Sequence, residues 1–183
     1  MNQPCVFLSY VKADQTWAEQ LTKLLAPLGV TVCDAQSAQQ DPTAGLDQVR
    51  QAIQTASHTC VLLGPATRLS RWVDREIELS TEPREDGPGA GLIGVILPTH
   101  EDFSAPYYDP ANVPIRLHDL IQGDYAVIRK WSENPEDLWR WLDEAERRRH
   151  SSRQEPSLRA AAEIYRFGWD QSVDEARPSP EAL

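Results

Sequence analysis

A chain of 183 residues, 40% of them hydrophobic, has room for one domain with a full core plus a tail, and not for two ordinary domains with a linker. The formal net charge of −10 argues against a nucleic-acid partner, since the one dense basic run, Arg147-Arg148-Arg149, falls where a helix should end and where cations are favoured. The longest apolar stretches, residues 60–63 and 92–97, are far below membrane-spanning length, and Met1-Asn2-Gln3-Pro4 carries no charged-then-apolar leader, so a cytoplasmic protein with no membrane partner is expected.

Residues 6–10 (Val-Phe-Leu-Ser-Tyr) read as a strand, and Asp14 as the N-cap of a helix whose apolar positions Trp17, Leu21, Leu24, Leu25 and Leu28 keep helical spacing. Gly29 breaks that run. Residues 30–34 form a second strand, 35–43 a polar loop, and Leu46, Val49, Ile53 and Ala56 line a second helix. A third strand, 58–64, leads into the helix that carries Trp72, Glu76 and Leu79; the turn Asp86-Gly87-Pro88-Gly89 then leads to a fourth strand, 92–97. Residues 98–114 read as a long loop rich in Pro, Asp and Tyr, of a kind that is often functional or mobile. A fifth strand, 125–131, and a last helix, 135–149, complete the order, with Trp17, Trp139 and Trp141 at helix-packing positions. From Ser151 the chain turns polar, with one helix expected at 158–167, so the domain is placed at residues 1–150 and a tail at 151–183. Strands that are nearly continuous in apolar residues, alternating with helices, predict an α/β fold: a parallel five-stranded sheet covered on both faces.

Cys5, Cys33 and Cys60 each fall within a predicted strand, without Cys-x-x-Cys spacing and odd in number, so buried reduced thiols are expected. His58, His100, His118 and His150 show no metal-ligand spacing and no nucleophile motif beside them, and no metal is expected.

Trp72 and Glu76, four residues apart in Ser70-Arg71-Trp72-Val73-Asp74-Arg75-Glu76, share one helix face directly after the apolar strand Cys60-Val61-Leu62-Leu63-Gly64-Pro65. A flat ring beside a carboxylate suits a ligand with both an aromatic base and sugar hydroxyls, as in nicotinamide adenine dinucleotide (NAD). The same spacing also arises when an amphipathic helix packs a ring inward beside a solvated charge. Glu78, roughly 200° around the helix from Glu76, reads as surface charge. Ligands of open parallel sheets lie beyond the carboxyl ends of the strands, here Ser9-Tyr10, Asp34, Gly64-Pro65 and Leu97-Pro98. Ser9 and Tyr10 read equally as strand terminators, and Asp34 as a turn residue.

Val6-Phe7-Leu8-Ser9-Tyr10, then Asp14 and Trp17-Ala18-Glu19-Gln20-Leu21, then Ser70-x-Trp72-x-x-x-Glu76, together resemble a bacterial Toll/interleukin-1 receptor (TIR) domain. Val113-Pro114-Ile115-Arg116-Leu117-His118-Asp119, with Gly123-Asp124-Tyr125-Ala126-Val127 and Trp131, is similar to the TIR-like proteins of Thoeris anti-phage defence systems. The resemblance implies a flavodoxin-like fold and cleavage of NAD, as substrate and not cofactor, at its nicotinamide–ribose bond. It implies Glu76 as the catalytic glutamate, Trp72 as a pocket wall, and Ser9 and Tyr10 as contacts to the nicotinamide ribose or phosphates. Phe7 joins that substrate-binding set, and Asp34 borders the gating loop. Self-association and a separate effector that senses the product are further implications.

The chemistry fits one carboxylate: nicotinamide leaves as a neutral base from a cationic ring, so the enzyme must mainly stabilise an oxocarbenium-like ribose. Val73 stands where many relatives have Cys. Residues 35–43 hold neither Lys nor Arg, which leaves the diphosphate to backbone N–H groups, Arg71, Arg75 or a neighbouring subunit. Two other classes stay open: a non-catalytic TIR–TIR module in a signalling scaffold, and a deoxyribosyltransferase-like nucleoside enzyme, against which the first-strand motif speaks. Arg116 and Asp119 are expected to pair structurally with the fifth-strand region.

Overall fold

Short apolar strands that alternate with amphipathic helices bury both by stacking the helices on the two sides of one sheet. The computed structural model, which describes residues 4–34, 42–85 and 87–151, has this architecture. Strands β1 (Cys5–Ser9), β2 (Thr31–Asp34), β3 (His58–Leu63), β4 (Gly91–Ile96) and β5 (Ala126–Lys130) form a wholly parallel sheet in the order β2-β1-β3-β4-β5. Helices α1 (Gln15–Leu25), α2 (Pro42–Thr55), α3 (Arg71–Thr81), α4 (Ile115–Gln122) and α5 (Pro135–Ser151) connect or follow them. The result is the parallel α/β sheet that the alternation predicts and the flavodoxin-like fold that the resemblance implies. No helix among the described residues is long and apolar enough to cross a membrane.

The period-2 alternation of β1 decides what each face holds. Val6, Leu8 and Tyr10 point to one side, where they pack with Cys60, Leu62, Ile93 and Val95 against Leu21 and Leu25 of α1 and Leu138, Trp141 and Leu142 of α5. Phe7 points to the other, against Val49, Ile53 and Ala56 at α2 and Leu79 of α3, with Trp72 on the margin. Trp17 closes the first face edge-to-face with Trp131, ring centroids 5.1 Å apart.

Several local expectations need correction. Asp14 occupies the N-cap position of α1, but its side chain makes no cap bond; it is buried, turned inward towards Thr67. Trp139 is 43% exposed and lies outside the core that Trp141 joins, since the two are adjacent but one and cannot share a helix face. Cys5 and Cys33 are only partly buried, because β2 is an edge strand and leaves their side of the sheet less covered. The stretch after Pro114 is a helix, α4, whose Leu117 and Leu120 face inward. Arg116 pairs from α4 with Asp74 of α3 at 3.3 Å, not with the fifth strand.

The long connection between β4 and α4 is cross-braced. The His100 Nε2–H donates to the Asn112 carbonyl at 3.1 Å and Nδ1 accepts from the Asp102 N–H at 3.1 Å. Asp102 in turn accepts from the Asn112 side-chain amide at 3.1 Å and the Asp109 N–H at 2.9 Å. The helix expected at 158–167, the loop at 35–41 and Asp86 of the predicted turn lie outside the described residues.

Candidate active site

In this strand order the chain leaves β1 towards β2 on one side and crosses to β3 on the other, so the gap between the carboxyl ends of β1 and β3 is where connections diverge. Ser9 ends β1 beside Val61 of β3. Opposite it runs α3, started by Ser70, whose hydroxyl accepts the Val73 N–H at 3.2 Å. From that cap, Trp72 falls over the Phe7 cluster, and Glu76, one turn further on, falls towards Ser9.

The Ser9 hydroxyl donates to Glu76 Oε2 at 2.5 Å, and Glu76 is 2% exposed. Burying a carboxylate is expensive unless donors replace the water it loses. A second pair lies one turn below. Ser80 donates to the Glu76 carbonyl at 2.7 Å, so its proton is committed, and the Thr59 hydroxyl of β3 supplies the proton for the 2.8 Å contact to Ser80. Ser9, Glu76, Ser80 and Thr59 thus form a buried polar line between α3 and the sheet. Thr59 and Ser80 escaped the sequence reading. The available signal was the four-residue spacing of Glu76 and Ser80 on the helix face already singled out.

The other sequence candidates divide by face. Phe7 is fully enclosed on the Glu76 side, and Trp72 packs against its cluster with an indole Nε1–H that is buried and finds no acceptor among the described residues. Tyr10 is buried in the cluster on the opposite side of the sheet. Asp34 ends β2, and its side chain lies outside the described residues. Arg75 is engaged by Glu78 on its own helix, so Glu78 acts as that arginine's partner and stays away from Glu76.

A second buried carboxylate lies beyond β3. Burial holds the Asp14 carboxyl above its ordinary value, countered by the Thr67 hydroxyl and by His100. Thr67 accepts the Gly64 N–H at 2.9 Å and lies 3.5 Å from Asp14 Oδ2. Any Cβ at position 64 would sit 2.2 Å from that oxygen, so a larger residue there would force the Asp14 carboxylate to move. Among the described residues no group of three or more His, Cys, Asp or Glu is placed to hold a metal ion.

A comparison with curated proteins gives no match. Among solved structures, the chain is similar to the TIR domains in the activated Roq1 resistosome directly recognizing the pathogen effector XopQ, at 13% identity and TM-score 0.44, covering 89% of this chain and 99% of that one. It is also similar to a prokaryotic SEFIR domain, at 18% identity and TM-score 0.44, covering 84% of this chain and 95% of that one. The family model for the TIR domain matches residues 6–131. That span runs from β1 to the residue after β5 and takes in the whole sheet together with α3, and the chain belongs to the TIR domain family.

Proposed function

We propose that this TIR domain cleaves NAD at the bond between nicotinamide and ribose, with Glu76 as the catalytic carboxylate. The observation that carries the reading is the buried Glu76 carboxylate, oriented by the Ser9 hydroxyl at 2.5 Å beside the diverging strand ends. As the C1′–N bond breaks, its electron pair leaves on the nicotinamide nitrogen and neutralises the pyridinium. The ribose is left cationic, and a carboxylate against its hydroxyls stabilises that charge in a site from which water is excluded. Trp72 walls the pocket, and Ser9 holds the carboxylate in one orientation. Water, a ribose or adenine atom of the same molecule, or another acceptor then completes the reaction.

At 2% exposure Glu76 meets substrate only after the side chains over it shift, which supports a reading in which self-association switches the enzyme on. The stretch 113–127 further supports placement with Thoeris-type TIR-like proteins. On that reading the protein acts in the cytoplasm and makes a linear or cyclic ADP-ribose signal for a separate effector. The domain spans residues 1–150, and residues 151–183 form its tail.

The test mixes concentrated protein with NAD, with and without a crowding agent, and identifies nucleotides by mass spectrometry for wild type and Glu76→Gln. Wild type releases nicotinamide, and the variant loses about 10²–10³-fold in rate, the scale of a missing transition-state electrostatic contact. A product one water lighter than ADP-ribose identifies a cyclase. Intact NAD with wild type under crowding replaces the enzyme with the scaffold reading. One surface favours that alternative: Leu69 is 78% and Tyr107 84% exposed, and Arg68 bonds the Ala111 carbonyl at 3.0 Å, drawing the turn Thr67–Leu69 against Pro110–Asn112 next to the exposed Ile115.

A further inference from the structure

Cys5 and Cys33 stand on adjacent strands and on one face of the sheet. Cys33 is in register with Phe7, two residues along β1 from Cys5, and residues two apart on a strand share a face. Their sulfurs are 3.7 Å apart. A disulfide spans about 2.05 Å, so the sulfurs must close by about 1.7 Å, and because the two residues are offset by two positions the closure shifts the β2 backbone along β1 as well as turning the side chains. Both thiols are partly exposed, and β2 is an edge strand paired to β1 alone, which leaves it free to yield. Cys60 offers the contrast. It is buried on the opposite side of the sheet, and burial pushes its thiol up to about 12, which removes it from thiolate chemistry.

We propose that Cys5 and Cys33 are a reversible redox couple, a dithiol that a small-molecule disulfide such as oxidised glutathione converts into an intramolecular disulfide. The Cys33 S–H points at the Val6 carbonyl, 3.6 Å away, and the Ala52 carbonyl, 3.9 Å away. With that S–H held against the backbone, the Cys5 sulfur is the one that meets the oxidant first. Its thiolate forms a bond to one sulfur of the oxidant and expels a glutathione thiolate; the Cys33 thiolate then attacks the Cys5 sulfur of that mixed disulfide and expels the second. The protein gives up two protons and two electrons, and the oxidant becomes two molecules of reduced glutathione. The bond ties the edge strand β2 to β1 one residue before Asp34. The site stands independently of NAD cleavage.

The experiment exposes the intact chain to a graded ratio of oxidised to reduced glutathione, traps the remaining free thiols by alkylation after unfolding in denaturant, and maps the products by mass spectrometry without reduction. The expected result is a protein lighter by two hydrogens, a peptide pair joining Cys5 to Cys33, Cys60 alkylated, and full reversal by excess reduced glutathione. In Cys33→Ser, or in Cys33→Ala should serine disturb the fold, the reaction stops as a stable glutathione adduct on Cys5. Stable adducts on both cysteines of wild type, a bond to Cys60, a link between two copies, or unmodified thiols at every ratio would overturn the proposal.

Discussion

The two faces of the sheet are built on different terms. Towards α1 and α5, the inward residues of β1, β3 and β4 are apolar or a thiol except His58, which opens β3 and bonds the Leu142 carbonyl of α5. Towards α2 and α3, the same strands send inward Ser9 and Thr59 beside Phe7, to meet Glu76 and Ser80 of α3. The first face stabilises the fold mainly by burial, at about 25 cal/mol per Å² of apolar surface. The second accepts the desolvation of hydroxyls and a carboxylate, which packing by itself would never favour over Leu or Val. In this chain one face is thus almost wholly apolar and the other sets a polar line beside its apolar cluster, and Glu76 stands where that line reaches the carboxyl end of the sheet.

Truncation separates these roles, and the largest effect belongs on the apolar face. Leu62→Ala, at a fully buried position of β3, is expected to cost about 2–5 kcal/mol in denaturant unfolding and to leave the proposed NAD turnover per folded molecule unchanged. Ser9→Ala reverses the pattern. It removes a hydrogen bond to a charged acceptor, worth about 1.5–3 kcal/mol, and frees the carboxylate to rotate. Nicotinamide release should therefore fall by about tenfold or more, without a matching rise in KM. A Ser9→Ala enzyme as active as wild type would reduce the polar line to a structural feature.

Gly64→Ala tests the second buried carboxylate. The new methyl cannot coexist with Asp14, whose carboxylate must swing away and lose Thr67, at a cost of about 1–3 kcal/mol. In an Asp14→Ala background the same substitution should cost much less, and a double-mutant cycle by thermal or denaturant melts reads the coupling directly. Equal costs in both backgrounds would show that the glycine is required by its backbone and not by Asp14.

Much of this was legible in the residues. The five apolar runs mark their strands to within a residue or so at each end, because β1, β3 and β4 are buried along nearly their whole length and the edge strands β2 and β5 begin shortly after Gly29 and Gly123. The meeting of Ser9 with Glu76 follows from two simple rules, ligand sites at strand ends and i, i+4 neighbours on a helix. The helix α4 was hidden because it has eight residues, follows a proline-rich stretch, and places Ile115 outward, so its apolar residues keep no clean period. Asp14 was hidden differently. Its position as a helix cap is right, but its partners Gly64 and Thr67 are about fifty residues away, and no local pattern announces a contact that depends on a missing Cβ.

The smallest effect probes the opposite end of the sheet, at the start of β3, where His58 binds α5. Its Nε2–H donates to the Leu142 carbonyl at 3.0 Å, and Ser57 bonds Nδ1 at 2.9 Å. Desolvation holds the imidazole below its ordinary 6.5; Glu146 and the Leu142 carbonyl pull the other way, while Arg149 and Arg84 add to the lowering. As pH falls through 6.5 the unfolded chain takes up a proton that the folded chain refuses until a lower pH. Stability should therefore decline with acidification across that window and be indifferent to this group above it. Glu146 acts in a separate range. Burial raises its carboxyl, but the hydrogen bond and charge of Arg149, with His150 and His58, outweigh this and lower it, so its contribution is present above 4.5 and fades only as pH drops through its depressed value. Melts recorded at successive pH values should consequently show a first loss beginning near 6.5 that His58→Gln abolishes and a second below 4.5 that it spares. A first loss that survives His58→Gln would assign it to other histidines and leave the β3–α5 junction outside the acid response.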